Sequence, residues 1–428
     1  MTDDPTTLTA TAAAALIANG DLSSEALVGA CLARIEAREP VVAAWSHVDP
    51  CLALEQARAC DRIAPTGPLH GVPVGIKDII DTRDQPTTHG SRAYAGVTPM
   101  EDAACVAALR EAGAVILGKT VTTEFANRDP GPTSHPLNRL HTPGGSSSGS
   151  AAAVADGMVP LALASQTAGS TIRPAAYCGI YGFKPTFGLL SLAGMGALCE
   201  RFDTLGLYAR GVADLALLRD ALLGVDAAGI GPLAGGPPRV RLCRTPLWDE
   251  AQPESQAAVE RAAEAFSAAG VTVEELSLPS EFDTLREAMW EIIRFELARA
   301  LLPVWRRSAA SLRSTTQSMF RAGREISLAR HVDNIKHVEA CGRAMDGVLA
   351  GDEIVLTPSA VGEAPVGVDN TGPPTFNFLW HVLGMPAVQI PYGLGPGGLP
   401  IGVQLVAHRH GDDHLLATAA WADGVLAG

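Results

Sequence analysis

Apolar residues recur along this chain in two rhythms, one helical and one strand-like, and the two alternate. Between residues 23 and 38, Leu27, Cys31 and Ile35 fall on every fourth position, Ser23 can cap and Glu25 suits a first turn, so a helix is expected there. Residues 71–80 (GVPVGIKDII) form a short apolar run broken by Gly and Pro, with a single lysine, Lys77, inside it. A helix follows at about 102–112, Gly113 stops it, and Ala114-Val115-Ile116-Leu117 reads as a buried strand. The order then repeats: a helix opens near Ser150 and stops at Gly157, and a strand runs from Leu161 to about Ala164. Farther on the pattern predicts a helix at 255–268, an alternating strand at 271–278 and a long helix near 284–302. Strands at 354–357, 386–391 and 401–407 and a last helix complete it. Such alternation implies an α/β fold in which helices cover a buried sheet.

The stretch 224–238 (GVDAAGIGPLAGGPP) is the clearest linker, and no repeat of 20–50 residues is visible. The strands after it can complete the early sheet, so one large domain is the favoured organisation.

Composition narrows the function classes. The chain has 428 residues, 47% hydrophobic and 18% charged, ample for a globular core. A formal net charge of −14 repels phosphate backbones, which sets nucleic acid aside as a partner. Arg306, Arg307, Arg313, Arg321, Arg324 and Arg330 gather locally and are expected to line one helix face. No uninterrupted apolar run approaches the ~20 residues needed to cross a bilayer, and Met1-Thr2-Asp3-Asp4-Pro5 lacks the features of a signal peptide. Eight cysteines without CxxC spacing read as small buried thiols in a reducing compartment, so a cytoplasmic enzyme without a membrane or nucleic-acid partner is expected.

Three segments carry candidate chemistry. Lys77 sits among apolar residues, where burial would depress its pKa and make it a base at neutral pH. Gly144-Gly145-Ser146-Ser147-Ser148-Gly149-Ser150 leads straight into Ala151-Ala152-Ala153-Val154, so it is a turn feeding a packed helix rather than a linker. Such a turn presents N–H groups and hydroxyls. Gln166-Thr167-Ala168-Gly169-Ser170-Thr171-Ile172-Arg173-Pro174 follows a buried strand, where α/β enzymes place a nucleophile, and its small residues let consecutive N–H groups converge on an oxyanion.

Taken together these segments closely resemble the amidase signature family. The resemblance covers nearly the whole chain, from the helix before Gly71 to Gly398-Leu399-Pro400-Ile401-Gly402-Val403-Gln404. It is most specific from Gly144 to Pro185, with two serine motifs 24 positions apart and the upstream lysine. Within the family, malonamidase-like enzymes share Gly-Gly-Ser-Ser-Ser-Gly-Ser and the Ser-x-Ile-Arg-Pro-Ala order. The resemblance implies a single large α/β/α domain over residues 1–428, with a central mixed, twisted sheet. Its parts would be an N-terminal helical region (1–70), a catalytic core (71–215), a variable helical region (239–350) and C-terminal strands with a helix (351–428).

The resemblance also implies roles. Ser170 would be the nucleophile, Ser146 a bridging serine beside a cis peptide bond, and Lys77 the base. The backbone N–H groups of Thr167, Ala168, Gly169 and Ser170 would form the oxyanion hole. Gly145, Arg173 and Arg128 would meet the substrate, with segments 125–140, 285–330 and Asp369 to Phe378 supplying further contacts. The implied reaction is cleavage of a carboxamide through an acyl-enzyme, without cofactor or metal. The alternatives are a carbamate or urea-type substrate with the same triad, or an amidotransferase component that works with a partner. Dimers are common in the family.

Some positions depart from the pattern. Ala168 replaces a usual Gly, which weakens its oxyanion assignment if a positive φ is needed there. Ser148 stands where many members have Gly. Gln166 and Ser165 stand where Asp and Thr are common and read as supports. Arg173 pairs either with an internal carboxylate or with a substrate carboxylate, and Asp129 offers Arg128 an ordinary partner. His408, His410 and His414 read as a polar loop rather than a metal cluster, and Cys178 as an inert core thiol.

Overall fold

Eleven strands join into one sheet: an antiparallel edge strand and a short parallel block lead into a longer antiparallel stretch and a short parallel edge. The computed structural model describes residues 4–227, 229–231, 233 and 236–428; residues 228, 232, 234 and 235 of the expected linker lie outside the described residues, as do 1–3. The strands are β1 (Trp45–Val48), β2 (Pro73–Lys77), β3 (Val115–Thr120), β4 (Leu161–Gln166), β5 (Tyr181–Lys184) and β6 (Thr204–Ala209). They continue with β7 (Arg239–Leu242), β8 (Val273–Glu275), β9 (Glu353–Pro358), β10 (Ala387–Leu394) and β11 (Pro400–Ala407). Across the sheet they run β1-β3-β2-β4-β6-β5-β10-β11-β9-β7-β8. β3, β2 and β4 are mutually parallel, β4 through β9 pair antiparallel, and β9, β7 and β8 are parallel again.

Both faces of the sheet are covered, and the period-two alternation of strands shows it. Ile354 and Leu356 of β9, with Leu405 and Ala407 of β11, join one apolar cluster. Their neighbours Val355 and Val406 point the other way, into a second cluster. The first cluster packs against helices Ser24–Val42, Val212–Leu223 and Asp412–Ala427, the second against Leu285–Ala300 and Leu328–Val348. Strands buried on both faces read as continuous apolar runs, which is why the chain carries them at 115–117 and 405–407.

The expected elements are present, with instructive differences. The first long helix begins as its cap predicts, Ser23 Oγ accepting from the Ala26 N–H at 3.0 Å, but it runs on to Val42 with Pro40 near its end. The strand expected over 271–278 is confined to Val273–Glu275, at the sheet edge, where pairing comes from one side only. The arginine-rich stretch does not form one helix face. Arg306 and Arg307 lie on the helix Leu302–Ser308, Arg321 and Arg324 on Ser314–Glu325, and Arg330 on Leu328–Val348, with Arg313 capping the middle one. Interruptions at 309–313 and 326–327 separate the three helices and send the arginines to different partners: Arg330 pairs with Glu287 and Glu291, while Arg321 stacks over Trp305.

Candidate active site

Lys77 meets Ser146 Oγ at 2.7 Å, and Ser170 lies close by in topology because β2 and β4 are adjacent and parallel. Lys77 is the last residue of β2, and Ser170 lies in the turn that leaves β4 for the helix Ile172–Cys178, so both sit at carboxyl ends of neighbouring strands. The serine-rich turn precedes the helix Ser148–Ala155, which leads back into β4. Gly144 has φ +83°, a conformation that favours glycine, and the Gly145–Ser146 peptide is cis. Gly149 lies where that helix crosses the chain entering it from β3: its N–H donates to Val121 O at 2.9 Å. A Cβ there would stand 2.1 Å from Ala44 O and 2.3 Å from Val121 N. Gly149→Ala should therefore lower the unfolding free energy by about 3 kcal/mol, read from the denaturant midpoint.

Lys77 is fully buried, yet no carboxylate pairs with it among the described residues. Its Nζ contacts three hydroxyls instead: Ser146 Oγ at 2.7 Å, Ser165 Oγ at 2.8 Å and Ser147 Oγ at 2.9 Å. Burial, the largest influence, pulls the amine well below its ordinary 10.5, Asp203 opposes that and Arg173 adds to it. Ser147 is itself fixed, its Oγ donating to Ser165 O and accepting from the Ser165 N–H, both at 3.2 Å. The two departures read as supports behave so: Ser165 touches the lysine, and Gln166 Oε1 accepts from the N–H groups of Thr171 and Ile172 at 2.9 and 3.1 Å.

Between β4 and its helix, Thr167, Ala168, Gly169 and Ser170 line a cavity of about 570 Å³. Among the described residues their four N–H groups donate to no backbone or side-chain acceptor, whereas the next two are held by Gln166. Ala168 does not adopt a positive φ, so alanine fits where a glycine is usual. Tyr208 steadies the turn from below, its hydroxyl donating to Ser170 O at 3.2 Å and Thr171 O at 2.9 Å.

The cavity draws its walls from segments far apart in sequence, and the three expected to vary with substrate all contribute. They are represented by Ala126 to Pro130, by Arg286, Trp290 and Ile293, and by Asp369 to Pro374. Arg173 lines it as well, 5% exposed, with no carboxylate in ion-pair contact among the described residues. One arm donates to Gly145 O and lies 3.5 Å from Thr371 Oγ1, while its Nε has no acceptor. Burial pulls this guanidinium down to about 10, which leaves it charged at neutral pH. The internal carboxylate, one of its two expected partners, is absent among the described residues. Gly145 does not line the cavity, and its carbonyl accepts from Arg173. Arg128 is exposed and stacks over Trp290 at 4.4 Å, while Asp129 meets Thr316 at 3.5 Å rather than its neighbour.

Other candidates disperse. His408 meets Asp346 and His414 meets the Asp352 carbonyl, each at 3.1 Å. Burial pushes the Cys178 thiol up, and it faces Pro143 O. Asp203, buried beside the nucleophile turn, belongs to none of the sequence motifs. A lone aspartate before a strand carries no local signal, and only the pairing of β6 with β4 brings it there.

The comparisons give the class of enzyme to which this sheet and site belong, one acting on carbon–nitrogen bonds. The amidase family model matches residues 26–416, and the chain belongs to that family. It is 34% identical to a glutamyl-tRNA(Gln) amidotransferase subunit from Chloroflexus aggregans, covering 96% of this chain and 94% of the relative. The corresponding amidotransferase subunit from Salinispora arenicola is 34% identical over 97% of both chains. Among solved structures, a crystal structure of an amidase superposes with a TM-score of 0.90 at 28% identity, covering 98% of this chain and 100% of that one. The peptide amidase of Stenotrophomonas maltophilia gives 0.84 at 28% identity over 99% and 97%. The protein is an enzyme acting on amide bonds. No helix among the described residues is long and apolar enough to cross a membrane.

Proposed function

We propose that the chain hydrolyses a small carboxamide through a Ser170–Ser146–Lys77 relay and an acyl-enzyme. The observation that carries this is the 2.7 Å contact between Ser146 Oγ and a fully buried lysine with no acidic partner among the described residues. A neutral amine has two protons and one lone pair. Ser147 and Ser165 accept the two protons, so the lone pair is left to accept the Ser146 hydroxyl proton. Ser146 can then take the proton of Ser170 as it attacks the amide carbon. The free N–H groups of residues 167–170 face the developing oxyanion, where one such donor is worth about 3 kcal/mol. Returned through Ser146, the proton goes to the leaving nitrogen, and water releases the acid. The relay requires neither metal nor cofactor.

Arg173 sets the substrate class. A guanidinium buried in the cavity wall without a carboxylate calls for one from the ligand, so half-amides of short dicarboxylic acids fit best, with Arg128 at the outer wall as a second cationic contact. Carbamates and ureas share the tetrahedral chemistry and belong on the same assay panel. Arg173→Lys should raise KM for a half-amide by about tenfold or more and change a neutral amide of equal size little, since lysine cannot reproduce the fork. Equal losses on both, with lowered thermal stability, would make Arg173 a scaffold.

The amidotransferase relatives support a second reading, in which the chain passes ammonia to a partner. Ammonia release by the purified chain alone favours the hydrolase; activity only with an added partner favours the amidotransferase role. Eight free cysteines suit a cytoplasmic setting, and a homodimer is the assembly to test for.

A further inference from the structure

Asp203 is the buried carboxylate nearest in role to this machinery and has no part in the relay. It directly precedes β6, and the register Gln166↔Thr204 sets it beside the first residue of the nucleophile turn. Its side chain is 3% exposed. Oδ1 accepts from Thr167 Oγ1 at 2.5 Å, and Oδ2 accepts from the N–H groups of Leu198 and Cys199 at 2.7 and 3.0 Å. One carboxylate thus ties the start of the turn to the loop carrying Leu198, and both Thr167 and Leu198 line the cavity. No arginine or lysine forms an ion pair with it among the described residues. A buried anion satisfied by three neutral donors keeps its field uncancelled.

We propose that Asp203 is a positioning residue of the hydrolytic site: it clamps the Thr167 turn in place and lends its negative charge to Lys77. The proposal rests on the relay described above. During attack, the Ser170 proton moves to Ser146 and the Ser146 proton to Lys77, so an ammonium forms in a buried site as the oxyanion forms beside it. Among the charges acting on that amine, Asp203 favours the ammonium and Arg173 opposes it. Around Asp203 itself stand Lys77 and Thr167, with Cys199 and then Glu296 on the far side. Burial raises the Asp203 carboxyl to about 6, so the anion is present at neutral pH and is lost in mild acid.

The test follows the rate at which the full chain takes up a fluorophosphonate across pH, which needs no knowledge of the natural substrate. In that step the Ser170 Oγ–P bond forms, the P–F bond breaks, fluoride leaves, and the proton passes to Lys77 through Ser146. Labelling rises with pH as Lys77 becomes neutral. Asp203→Asn keeps the shape and removes the charge, so labelling should slow about tenfold and the inflection move to lower pH by about half a unit or more. Asp203→Glu keeps the charge and displaces the clamp, so labelling should slow with the inflection in place. Coincident inflections in the two variants overturn the charge assignment. Thr167→Val leaves Asp203 in position and removes one donor, so it decides the clamp even if the aspartate variants fold poorly: slowed labelling with an unmoved inflection is expected, and a wild-type rate overturns the proposal. If Ser170→Ala still takes the label, the relay itself fails, and the shortfall is not in Asp203.

Discussion

Ser170→Ala should lower turnover of the best amide by about a thousandfold to a millionfold while leaving folding intact, the range expected when the nucleophile of a relay is removed. The side chain lies in a turn whose backbone is held independently of it. Gln166 anchors the N–H groups of residues 171 and 172, Tyr208 holds the carbonyls of 170 and 171, and the Arg173 N–H donates to Gly169 O at 3.0 Å. Thermal unfolding and substrate binding should therefore be nearly unchanged, and the loss should fall on kcat. A variant retaining a tenth of the activity would show that another group attacks.

Lys77→Met should cost about a thousandfold or more at neutral pH, because methionine fills the slot without supplying a lone pair. Combining it with Ser146→Ala should cost far less than the product of the two, since both interrupt one proton path. In the parent enzyme, activity should fall as pH drops through the lysine pKa, where the protonated amine can no longer accept. Stability moves the same way. The folded-state pKa lies below the unfolded one near 10.5, so between them the unfolded chain binds the extra proton and wild-type stability rises with pH. Lys77→Met should remove that rise, measured as the unfolding midpoint across the alkaline range.

Much of this was legible in the chain. The alternation of helix stops and apolar runs placed β3, β4 and the three late strands, because strands buried on both faces leave a continuous apolar signature. The motifs placed Lys77 and Ser146 in contact and Ser170 in the turn after β4, the residue types and turns that the proposed proton path needs. Less was legible where tertiary contacts decide. β7, between β9 and the edge strand β8, is a short strand made by its pairing rather than its composition, and β8 keeps only part of the strand expected at 271–278. Gly145 carries the right motif, yet its carbonyl is taken by Arg173. Of the two partners weighed for Arg173, the internal carboxylate is absent among the described residues, and Asp129 meets Thr316 rather than Arg128. Asp203 has no local pattern at all, because its partners lie 36 residues upstream at Thr167 and four to five residues upstream at Cys199 and Leu198.

The measurement that bears most directly on the account is the site and stoichiometry of covalent labelling. The purified chain, stripped of metals by a strong chelator, is treated with a fluorophosphonate and digested, and the adduct is located by mass spectrometry. The account predicts one adduct per chain, on the peptide containing Ser170, formed at an undiminished rate after chelation and lost in Lys77→Met. Labelling of another residue such as Cys178, or labelling and turnover that vanish on chelation and return with zinc, would contradict it.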